Sequence, residues 1–88
     1  MVRAFGEIDI ATAPRLGRRL AAALGAHREV VLDLSEVTFM DCSGLRVLVQ
    51  ARNRADRYGG RLVLRGARGP VARLLRLTGL GRRLAAGP

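Results

Sequence analysis

The chain is 88 residues long, too short for a second folded unit, and 49% of it is hydrophobic, as in an ordinary globular domain. Sixteen Arg, no Lys and 7 acidic residues give a net charge of +9, which points either to an anionic partner or to the compositional habit of the source genome. One cysteine excludes an internal disulfide and a cysteine-built zinc cluster, and no apolar run nears the roughly 20 residues of a membrane span. The N-terminus has no apolar stretch of the signal-peptide kind, so a cytoplasmic protein is expected. With three aromatics and thirteen alanines, its core must be aliphatic and thin.

Phe5 to Ile10 alternate apolar and polar, which predicts a first strand. Ala13-Pro14 breaks it, and Leu16, Leu20, Ala23 and Leu24 then recur at helical spacing, with Arg15, Arg18 and Arg19 outside and Gly25 as a stop. The run Val30 to Leu34 reads as a buried strand, Ser35 to Thr38 as a connection, and Phe39-Met40 as a return to the core. Leu45, Leu48, Ala51, Ala55 and Tyr58 predict a second helix ending at Gly59-Gly60, with Arg46, Gln50, Asn53, Arg54 and Arg57 in solvent. Arg61 to Arg65 is a third strand. Gly69-Pro70 opens a third helix with Val71, Leu74, Leu75 and Thr78 on one face. This alternation predicts an α/β fold: a narrow, mainly parallel sheet with amphipathic helices packed on it, and Val31, Leu32 and Leu34 among the most buried residues. The whole of 1–88 is one domain, with its core at about 5–84 and a frayed tail over 81–88.

The chemistry-bearing residues are few. His27 stands alone at a helix end, where a surface histidine suits the macrodipole. Asp41-Cys42-Ser43-Gly44-Leu45 lacks the glycines of a nucleophile elbow, the other glycines make no phosphate loop, and no cluster offers metal ligands. No catalysis, cofactor or metal is therefore expected. Cys42, with no second cysteine to resolve it, reads as a buried or semi-buried small residue. Nucleic-acid recognition lacks interleaved aromatics and a helix-turn-helix, which leaves only charge in its favour. What stands out is the strand-to-helix junction at 40–45. Ser43 or Asp41 serves there as an N-cap, or the Ser43 hydroxyl stands exposed where a phosphate would meet the positive helix end. Spacing alone supports both.

At this junction the chain resembles a known family. Val37-Thr38-Phe39-Met40-Asp41-Cys42-Ser43-Gly44-Leu45 is similar to the signature of STAS domains, the fold of bacterial anti-sigma factor antagonists. Gly6-Glu7-Ile8-Asp9, Arg57-Tyr58-Gly59-Gly60-Arg61-Leu62 and Leu77-Thr78-Gly79-Leu80 match further family landmarks in order, so the resemblance covers about residues 5 to 84. It implies a binding protein that engages an anti-sigma factor and serine kinase, frees a sigma factor, is switched off by phosphorylation and is restored by a serine phosphatase. Carried over by position, the phosphoacceptor is Ser43. Asp41 shapes the junction, Gly44 keeps it open, Asp9 lies on the neighbouring loop, and Cys42 and Arg46 complete the partner-binding surface. The family's further N-terminal strand has no counterpart here, so the sheet is expected to lack it, and Cys42 stands where serine is commoner. A STAS subunit of a membrane transport complex and a charge-driven nucleic-acid module are the rival readings.

Overall fold

The computed structural model describes residues 1–79; the tail expected over 81–88 lies outside the described residues. Six elements alternate: β1 (Val2–Ile8), α1 (Ala13–Ala26), β2 (Glu29–Met40), α2 (Cys42–Arg57), β3 (Arg61–Arg65) and α3 (Gly69–Thr78). The strands form one parallel sheet in the order β1-β2-β3. Two crossovers that step the same way across a sheet put their helices on one face, and α1 and α2 do pack against each other there. Pro14 stands in the first turn of α1, and Gly79 closes α3 in the left-handed conformation.

The core is built from alternate strand residues and helical stripes. Leu32 lies between Val2 and Leu64 in the ladder, and with Leu34, Leu20 and Leu48 it is fully buried. Val30 is buried as well, whereas Val31 is only partly so, because successive strand residues point to opposite faces. The expected trio thus contained one residue of the wrong face. In α2 the buried stripe is Gly44, Val47, Leu48, Ala51 and Ala55; Tyr58, expected on it, is 69% exposed. On the other side of the sheet, Arg3 Nε stands 3.5 Å from Asp33 Oδ2, and Arg61 Nε stands 3.0 Å from Glu29 Oε2.

Two boundaries differ from the sequence reading. The first strand begins at Val2 and ends at Ile8, and β2 runs unbroken through the segment 35–38 that reads as a connection. Its polar side chains suggest a turn, but Phe5 pairs with Glu36 and Gly6 with Val37, which holds the backbone extended across two register shifts. β3 accompanies β2 only as far as the Asp33–Arg65 pair. The chain then turns at Gly66 (φ +76°), where a Cβ would stand 3.0 Å from Ser35 Cβ and 3.1 Å from Asp33 Oδ1. Arg68 Nη2 donates to the Ser35 carbonyl at 3.0 Å, and α3 packs on β2, burying Val71 and Leu75.

Candidate functional site: the strand-end junction

In a parallel sheet the loops that leave the strands' C-terminal ends gather at one edge, where such folds bind their partners. Ile8 and Met40 are register partners at the ends of β1 and β2, so the Asp9 loop and the Asp41 junction emerge side by side. The Asp41 N–H donates to the Ile8 carbonyl at 3.2 Å, which carries the strand pairing one step into the junction.

Asp9 organises its own loop. Its Oδ1 accepts from the backbone N–H of Ala11 at 3.0 Å and of Thr12 at 3.1 Å. The Thr12 hydroxyl oxygen accepts from the Asp9 N–H at 2.9 Å, and its one proton can go to Glu7 O at 2.9 Å or Asp9 Oδ1 at 3.2 Å. The Thr12 backbone N–H, first among these donors, holds the Asp9 carboxyl below its ordinary value of 3.8. Asp33 is lowered too, first by the Ser35 backbone N–H, then by the Ser35 side chain and the Arg3 and Arg65 charges. A carboxylate depressed in the folded state contributes stability above the unfolded value and loses it as pH falls through the folded one. Thermal melts are therefore expected to drop once pH goes below about 4, with Asp9→Asn and Asp33→Asn together flattening that acid limb. An unchanged limb in the double variant would remove these two groups from the acid response.

Asp41, in extended backbone, is the N-cap of α2: its Oδ1 accepts from the Ser43 N–H at 2.8 Å and its carbonyl from Leu45 N–H at 3.1 Å. Of the two cap candidates, then, the carboxylate takes the role. Ser43 is half-buried in the first helical turn, and its hydroxyl has no hydrogen-bond partner among the described residues. Gly44 is buried for a packing reason rather than to keep the junction open. A Cβ there would stand 2.5 Å from Met40 Cγ and 3.0 Å from Ile8 Cγ2, so any larger residue would push the Met40 side chain out of its place between α2 and the strand ends. Cys42 is a free, exposed cysteine, correcting its reading as a buried or semi-buried residue: it opens α2 on the side away from the buried stripe. Arg46, four residues on, is exposed on that same side.

Two apolar residues escaped the sequence reading. Ile10, assigned to the first strand, is 80% exposed on the Asp9 loop, and Phe39, assigned to the core, is 46% exposed beside Met40. The signal was there for Phe39: consecutive strand residues cannot both face the core, and Met40 takes the inner place. Phe39 pairs instead with Glu7. The junction thus presents the unengaged Ser43 hydroxyl with exposed Cys42 and Arg46, next to the Asp9 loop that carries Ile10, while Phe39 is exposed on the opposite face of the sheet from Met40. That composition suits protein docking.

The STAS domain model matches residues 1–86. The chain belongs to the STAS domain family. This STAS domain is 33% identical over 79 residues to the anti-sigma-B factor antagonist of Bacillus subtilis, covering 90% of this chain and 72% of that one. It superposes on the crystal structure of an anti-sigma factor antagonist from Mycobacterium paratuberculosis with a TM-score of 0.84 and 33% identity, over 98% of this chain and 74% of that one. The STAS domain of a SulP transporter from Vibrio cholerae shares the fold, with a TM-score of 0.72 at 21% identity over 96% of this chain and 66% of that one. No described helix is long and apolar enough to cross a membrane.

Proposed function

We propose that this STAS domain is an anti-sigma factor antagonist. It is a binding protein, not an enzyme: it docks its strand-end junction on an anti-sigma factor that is also a serine kinase, and so releases a sigma factor in the cytoplasm. The kinase transfers the γ-phosphoryl group of ATP to Ser43 Oγ, the proton leaves with the kinase's base, and the charge added ends the complex. A serine phosphatase restores it.

The observation that carries this reading is the idle hydroxyl of Ser43. Asp41 is the N-cap and bonds the Ser43 N–H, so the Ser43 oxygen, one residue further into the helix than its first position, has no capping task and is spare. The relatedness to antagonists at 33% identity favours this role over the transporter-subunit reading, whose structural neighbour shares the fold alone.

The test is labelling by the serine-kinase anti-sigma factor of the same genome, with ATP. One phosphate per chain is expected to enter the parent and Cys42→Ala, and none to enter Ser43→Ala, which should still bind the kinase. Phosphate in the Ser43→Ala chain would place the acceptor elsewhere and sink the assignment.

A further inference from the structure

The carboxylates are not spread evenly over the molecule. α1 and α2 together carry seven Arg and one acidic residue, Asp56, while the other six acidic residues lie on strands and loops. On the strands, Arg3 and Arg61 are neutralised by Asp33 and Glu29. On the helices, Arg18, Arg54 and Arg57 make no ion pair among the described residues and all are exposed. A compositional habit of the genome would add arginine; it would not sort the carboxylates away from one layer.

These three line an open groove of about 520 Å³ between α1 and α2, whose floor is Gly17, Ala21, Val47 and Ala51. No acidic residue lines it. Arg54 also borders a second hollow of about 450 Å³ with His27, Arg28 and the 69%-exposed Tyr58, so the basic rim of this trough extends past Arg54. We propose that this trough docks an acidic amphipathic helix of a partner protein. A helix laid along it would set a small apolar stripe on the Gly17–Ala51 floor and its flanking carboxylates against the Arg rim, two contacts that a phosphate backbone cannot make together. Single-stranded nucleic acid would also want a row of aromatics, and Tyr58 is the only one here.

The far end of this surface is set apart from the junction, although its floor starts at Val47, one turn past Ser43. Arg54 follows Ser43 by eleven residues of one helix, about 16 Å along its axis and about two Debye lengths at physiological salt. Contacts at the Arg54–Arg57 end are therefore expected to respond little to the charge at Ser43.

The probe is a fluorescent helical peptide with an Ala/Leu stripe flanked by Glu, titrated onto the full chain beside a scrambled peptide of the same composition and a random DNA duplex. The ordered peptide should bind at least about tenfold tighter than the scrambled one. Arg18→Glu with Arg54→Glu should weaken it by a further factor of about ten, and Ser43→Asp should leave it within about twofold. The neutral pair Arg18→Gln with Arg54→Gln, which keeps most of each stem, should show a smaller loss in the same direction; circular dichroism checks that both variants stay folded. Equal binding of the two peptides, or indifference to both Arg pairs, overturns the proposal. So does tighter binding of the duplex that the same substitutions abolish, which would make the trough a nucleic-acid surface.

Discussion

Leu32→Ala is expected to destabilise this domain by about 2–5 kcal/mol, the largest stability loss of any single truncation considered. Leu32 has no exposed surface, sits on the central strand and is flanked in the ladder by Val2 and Leu64. Leu16, Leu20 and Leu48 belong to the same cluster, so the space left by three lost carbons is walled by side chains from two helices and two other strands. A small domain with total stability near the low end of about 5–15 kcal/mol has little to spare, and its melting temperature should fall by about 10 °C or more. Val31→Ala makes the matched comparison, one residue earlier but on the opposite face and only partly buried; it should cost clearly less. Urea denaturation of both variants decides the matter. A Leu32→Ala loss under about 1 kcal/mol would mean that the core is not centred on β2.

Ser43→Asp should weaken binding to the anti-sigma factor by at least about tenfold, or about 1.4 kcal/mol, while leaving the fold intact. Two opposed local effects keep the stability change small. The new carboxylate meets the positive end of α2, which favours it by about 0.3–1 kcal/mol, and it stands near the Asp41 carboxylate, which opposes it on a similar scale. No hydrogen bond of the described structure uses the lost hydroxyl. At the interface nothing offsets the charge: a partner surface fitted to a neutral hydroxyl must desolvate a carboxylate. Calorimetric titration measures the first effect and thermal melting the second. Parent-like binding by Ser43→Asp would detach Ser43 from the docking surface, and a melting temperature lower by tens of degrees would return it to a structural role.

Much of this architecture was legible in the chain itself. The order of elements and both helical crossovers follow from the switch between periods of two and 3.6, and the solvent face of α2 from Arg46 to Arg57 is exposed as the spacing predicts. Three features were hidden, each for a physical reason. The second half of β2 carries Ser35, Glu36 and Thr38, whose local preference is for turns, and only pairing with β1 keeps it extended. Asp41 and Ser43 are both good caps, and which one serves depends on the backbone of residue 41, which spacing does not determine. Ile10 and Phe39 were assigned inward because apolar residues usually are, whereas strand ends and loops leave them at the rim.

The division of labour between residues 41 and 43 also bears on how such a regulator changes over generations. Where one side chain both caps a helix and receives a phosphate, its loss costs about 1 kcal/mol of fold along with the switch. Here the carboxylate of Asp41 holds the helix and the idle oxygen two residues later is free to vary. On the proposed role of Ser43, a single codon change at that position yields a permanently active copy that folds as well as its parent, and the reverse change restores control. Gene duplicates of this kind can gain or shed regulation without first acquiring compensating stability elsewhere.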